Sequence, residues 1–116
     1  MSATQRNKGA KGEREVVRIL NESLGTDAQR NLDQTRDGGT DISLPPYGIE
    51  VKRRKQMGFY AWMHQAETAC GAAGLRPVVI ARADGEDWVA ILPLSEFIAL
   101  ARENIVWERV KPEGCE

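Results

Sequence analysis

Residues 38–55 read GGTDISLPPYGIEVKRRK, and this stretch decides the fold. Two short runs, 41–44 and 48–54, alternate apolar and polar residues with the period of a strand. The PPYG segment between them turns the chain. Ile42 and Leu44 share one face of the first strand, with Asp41 and Ser43 on the other. In the second, Ile49 and Val51 stand against Glu50 and Lys52. If the strands pair as a hairpin, their apolar sides must face one core together. Asp41, Glu50 and Lys52 are then forced onto the same other face. That conclusion needs only the parity of the register.

Upstream, residues 11–24 (KGEREVVRILNESL) predict an amphipathic helix, with Val16, Val17, Leu20 and Leu24 on one stripe and Gly25 as its stop. Glu13 falls on that stripe and points at the sheet; Glu15 points elsewhere, on the side of Arg18 and Glu22. Residues 28–33 read as a short strand and 35–39 as a loop. Downstream, residues 59–74 space Phe59, Trp62, Met63, Ala66, Ala69, Cys70 and Ala73 as a helix face whose small residues allow close packing on a sheet. RPVVIAR and DWVAIL predict two strands joined through ADGE. PLSEFIALARE predicts a last helix opened by Pro93 or Ser95, and NIVWERV one more short strand. The order α, β, β, β, α, β, β, α implies an α/β fold, a central mixed sheet flanked by helices.

The whole chain supports one domain over 1–116, with residues 1–8 as a flexible arm. Its 116 residues are 41% apolar and 28% charged, ordinary for a folded globular chain. No apolar run approaches the roughly 20 residues of a membrane span, and the polar N-terminus has no apolar secretion core. Cys70 and Cys115 read as reduced thiols, and with the one histidine, His64, they are too few for a structural zinc site. A cytoplasmic setting follows. Net charge is −1, but residues 1–60 hold 11 Lys/Arg and 8 Asp/Glu, while residues 61–116 hold 5 and 9. The first half is the side suited to a polyanion.

The acids carry chemistry if they meet. Three carboxylates that close resist ionising unless a cation sits among them. All-oxygen ligands suit a hard ion, Mg²⁺ or Mn²⁺. Lys52 beside them would position a water or stabilise charge on a phosphate. Together Glu13, Asp41, Glu50 and Lys52 would make a metal-dependent phosphodiester hydrolysis site. The bland alternatives are a solvated sheet face for Glu50 and Lys52, and a helix acid favoured by the macrodipole for Glu13.

The motifs KGAKGERE before a helix, then GGTDI, IEVK and HQAE, carry a resemblance over roughly residues 8–95. The chain resembles the PD-(D/E)XK nuclease superfamily and, more narrowly, is similar to the archaeal-type Holliday junction resolvases and their phage relatives. The match runs through Lys8, Gly9, Glu13 and Arg14, then Asp41, then Glu50 and Lys52, then Gln65, with Arg30 matching the arginine near the strand after the first helix. The sequence departs from the pattern at Thr40, where no proline precedes Asp41. The resemblance implies the restriction-endonuclease-like αβββαβ core and a homodimeric endonuclease that cuts four-way or otherwise branched DNA with bound Mg²⁺. Glu13, Asp41, Glu50 and the Val51 carbonyl would hold metal, Lys52 would act on the attacking water or the transition state, and Gln65 would order the site. The setting implied is a prokaryotic or phage-infected cell. Lys8, Lys11 and Arg14, Arg30 and Arg36, and Arg53, Arg54 and Lys55 border this site as phosphate contacts should. Two other readings remain open: a related nuclease that nicks or restricts another DNA substrate, and a DNA-binding module without activity.

Overall fold

A computed structural model describes residues 3–32, 39–112 and 114. The elements run α1 (Ala3–Leu24), β1 (Gln29–Arg30), β2 (Ile42–Leu44), β3 (Tyr47–Arg54), α2 (Phe59–Ala73), β4 (Arg76–Ala83), β5 (Val89–Ile91) and α3 (Leu94–Val110). This is the expected order. The five strands form one mixed sheet in the order β1-β2-β3-β4-β5. Among the described residues only β3 and β4 pair in parallel, and α2 makes the crossover between them, as parallel neighbours require.

The β2–β3 hairpin has the parity its pattern demands. Ile42 pairs with Ile49 and Leu44 with Tyr47, around a turn at Pro45-Pro46. The apolar side of this hairpin joins Val78 of β4 against Val16 of α1, with Val17 and Leu20 packed beside it. The opposite side carries Val79 and Ala81 of β4 against Ala66 of α2. Both faces of the sheet are therefore covered, and β3 is buried on both sides through Gly48–Lys52. No helix among the described residues is long and apolar enough to cross a membrane.

Four local features differ from the sequence reading. Helix α1 starts at Ala3, eight residues before the expected start at Lys11, so it includes part of the stretch read as an arm. Good helix formers there (Ala3, Gln5, Lys8) outweigh the cost of Gly9. At the other end of α1, Leu24 is exposed, because the helix stops at Gly25 with φ +67 beyond the sheet. On α2, Phe59 is exposed, and the packed stripe begins at Trp62. The segment 104–110, expected as a strand, continues α3 to Val110, since no breaker intervenes before Pro112. Cys70 is a free buried thiol and Cys115 lies outside the described residues.

Candidate active site

The sheet places Asp41, Glu50 and Lys52 together on the face that α2 covers. In β3 the even positions point to that side, where Glu50 neighbours Val79 and Lys52 neighbours Ala81 of β4. Continuing the hairpin register by one step sets Asp41 opposite Glu50. All three are interior groups: Asp41 is 7%, Glu50 2% and Lys52 8% exposed. A solvated sheet face is excluded for these residues. Small residues on both sides, Ala66 and Ala69 on α2 and Ala81 on β4, leave the space the charged side chains occupy.

Each charged group has a partner. The Val51 backbone N–H donates to Asp41 Oδ2 at 2.7 Å, which fixes that carboxylate against β3. The Asp41 and Glu50 side chains are in hydrogen-bonding contact. Burial is the main cause that pushes the Glu50 carboxyl up to about 8, and the negative charge of Asp41 adds to it, while Lys52 opposes it. At neutral pH Glu50 thus holds a proton that a cation could replace. Lys52 Nζ donates to Gln65 Oε1 of α2 at 2.7 Å, so the ammonium is held between β3 and the helix.

Glu13 arrives from the other layer. It belongs to α1, which packs on the apolar side of the sheet, and its Oε1 accepts from Arg30 Nε of β1 at 2.9 Å. Burial raises its pKa, the Arg30 hydrogen bond opposes that rise, and the charge of Asp41 adds to it. Glu13, Arg30, Asp41, Glu50, Lys52 and Gln65 all line one open groove of about 1090 Å³. Among the described residues, no three His, Cys, Asp or Glu side chains are grouped closely enough to hold one ion. Asp41 and Glu50 form the tight pair, and Glu13 stands beside them under Arg30.

The basic residues divide. Lys8, Arg30, Arg53, Arg54 and Lys55 line the groove, so its rim is positively charged. Lys8 also pairs with Asp84 at 2.5 Å. Lys11 and Arg14 are exposed on α1 outside the groove lining. Arg36 lies outside the described residues. Arg30, read as a phosphate contact, spends its guanidinium on Glu13.

Several neighbours lie outside the residues expected for the site. His64 and Thr68 of α2 line the groove, and the Thr68 hydroxyl donates to the His64 carbonyl at 2.9 Å. Their spacing from Gln65 along one helix was the available signal. Asn31 lines it too, and its N–H donates to the Asp41 carbonyl at 2.8 Å. Glu15, expected beside Arg18 and Glu22, instead accepts from Trp88 Nε1 at 2.8 Å and from Arg82 at 3.3 Å. This contact ties α1 to the β4–β5 hairpin. The Trp88 hydrogen bond is the main reason the Glu15 pKa is lowered.

The model of a family described as phage putative PDDEXK endonuclease matches residues 4–112. No curated protein matches the chain. Among solved structures, the chain is similar to Archaeoglobus fulgidus Hjc, a Holliday junction resolvase from an archaeal hyperthermophile. The TM-score is 0.53 and the identity 22%, over 72% of this chain and 73% of that one. At that identity the likeness shows a shared fold.

Proposed function

The chain belongs to the phage putative PDDEXK endonuclease family, and from that premise we propose that it is a metal-dependent endodeoxyribonuclease that cuts branched DNA, with a four-way junction as its substrate. The observation that carries the reading is the meeting of Asp41, Glu50 and Lys52, charged and buried, in one groove with a basic rim. Burying such groups is costly unless the site uses them.

The donor set fits a hard divalent ion. Asp41 and Glu50 crowd two carboxyls into one interior space, and their oxygens and the Val51 carbonyl are suited to Mg²⁺ or Mn²⁺, while Glu13 lines the same groove outside that close pair. A bound ion would supply Lewis-acid polarisation of the scissile phosphate. The chain's own groups supply the rest. The Val51 N–H holds Asp41 in place. Gln65 holds the Lys52 ammonium, a fixed positive charge against the charge that grows on the phosphate. Arg30 donates to Glu13 beside the pair and opposes the rise that burial gives its pKa. Arg53, Arg54 and Lys55 at the end of β3 meet the DNA backbone, which suits recognition of shape rather than base sequence. Two cuts related by symmetry need two sites, so the working unit is a homodimer. The setting is the cytoplasm of a prokaryotic or phage-infected cell.

The test is cleavage of a synthetic four-way junction beside a linear duplex, in Mg²⁺ or EDTA, by wild type and Asp41→Asn. Mg²⁺-dependent cutting of the junction in preference to duplex, lost in Asp41→Asn, is expected. Equal cutting of both DNAs would point to a nuclease for another substrate. No Mg²⁺-dependent cutting of any DNA would leave a binding module.

A further inference from the structure

Helix α2 turns two faces. Trp62, Met63 and Ala66 pack on the sheet. Away from them, Tyr60, His64 and Thr68 form an exposed line at i, i+4 and i+8. His64 and Thr68 of that line border the groove, so Tyr60, 83% exposed, extends the α2 wall of the groove by one turn. The Thr68 hydroxyl is spent on the His64 carbonyl. Among the described residues, no hydrogen bond or ion pair engages the Tyr60 hydroxyl or the His64 ring. Lys55 stands five positions before Tyr60 and lines the groove with Arg53 and Arg54. Next to His64, Gln65 holds the Lys52 ammonium. The wall therefore carries two free rings one turn apart, between a basic rim and the candidate site. Proteins that hold single strands combine the same parts: cations follow the backbone and rings take the bases.

We propose that Tyr60 and His64 receive one unpaired base of the bound DNA between their rings. The proposal rests on the nuclease reading for its ligand and deepens it: the groove selects an unpaired base at the branch, not the shape of the branch alone. Side chains at i and i+4 of a helix have Cβ atoms about 5–6 Å apart. A base held between two rings needs about 7 Å, twice the 3.4 Å rise of stacked bases. A small splay of two exposed side chains admits one base and no more. Inside a duplex both faces of a base are covered by its neighbours, so only a base outside the stack enters. Every base has a π-face, so the ledge reads no sequence. A protein partner seated on these rings would also cover the cations of the rim, whereas a DNA strand neutralises them. Because Gln65 adjoins His64, the base on the ledge belongs to a nucleotide close to the one whose phosphate meets Lys52.

Fluorescence anisotropy in EDTA tests it, with two duplexes that differ only by one unpaired 2-aminopurine bulged from the centre of one strand. The readout is the ratio of the two affinities. Wild type is expected to hold the bulged DNA about 10-fold more tightly and to quench the 2-aminopurine emission. Tyr60→Ala should bring the two affinities within about 2-fold of each other and abolish the quenching, and His64→Ala should lower both effects. Tyr60→Phe keeps the ring and should behave as wild type. Circular dichroism should be the same for all, since Tyr60 and His64 are exposed. Wild type that holds both DNAs equally overturns the proposal. So does a Tyr60→Ala chain that keeps the preference and the quenching, or a Tyr60→Phe chain that loses them. Junction cleavage in Mg²⁺ by the same samples separates the two readings. Wild type that cuts the junction but ignores the bulge sinks the ledge and keeps the nuclease. Wild type that quenches the bulged base and cuts nothing does the reverse, and wild type that binds neither DNA overturns both.

Discussion

Replacing Glu50 with Gln should stabilise the metal-free protein at alkaline pH and leave it unchanged in acid. Glu50 is 2% exposed, and burial with Asp41 beside it moves its carboxyl from 4.5 to about 8. Between those values the folded chain holds a proton that the unfolded chain has released. Stability therefore falls as pH rises through that window and levels off above it. A proton held that much more tightly costs the folded state about 2–5 kcal/mol once the pH lies above both values. For a domain of this size that is a fall in Tm of about 10 °C or more. The assay is thermal unfolding by circular dichroism in EDTA, from about pH 5 to about pH 8.5. Glu50→Gln has no such proton to lose, and its amide can still donate to Asp41. Its Tm should stay nearly level, apart from a smaller fall in the same direction from Glu13, whose pKa is also raised by burial. The lowered values of Glu15 and Asp84 act below this window. Added Mg²⁺ should restore wild type at the alkaline end. A wild-type Tm that is flat or rising, or a slope that survives in Glu50→Gln, would refute the reasoning.

Gly48→Ala should destabilise the fold by about 2–4 kcal/mol in urea denaturation, because an added Cβ would lie 2.6 Å from Cys70 Sγ and 2.7 Å from Thr40 Cγ2. Gln65→Ala releases the Lys52 ammonium without touching the carboxylates, and should lower kcat about 10-fold with little change in DNA affinity in a single-turnover assay. DNA binding should weaken steeply with salt, and Lys55→Ala should flatten the slope of log Kd against log salt by about 1 in a fluorescence titration.

The part of the site that lies in one hairpin was legible in the sequence. Alternation in 41–44 and 48–54 fixes which residues share a face, and Ile42 opposite Ile49 bears this out. What covers that face was not legible, because α2 reaches β3 from later in the chain, and so the burial of Glu50 and Lys52 was one of two open readings. The same limit explains Glu15. Helical periodicity puts it on the side of Arg18, but a hairpin more than sixty residues away supplies Trp88. Glu13 shows a subtler case. Its stripe position correctly points it inward, yet inward from α1 leads first to the apolar layer, and Arg30 turns it to the groove. The end of α3 was misread because Ile105, Val106 and Trp107 favour strands in isolation, whereas an unbroken helix start upstream carries them along.

The central claim is that the Asp41–Glu50 pair is a seat for a divalent cation, and titration of the metal-free protein with Mn²⁺ by calorimetry tests it most directly. Wild type should bind saturably near neutral pH and release the Glu50 proton as it does so, which appears as a heat that depends on the buffer's ionisation enthalpy. Asp41→Asn should bind at least about 10–100-fold more weakly. Mn²⁺ binding of equal strength in wild type and Asp41→Asn, with no proton release, would contradict the account.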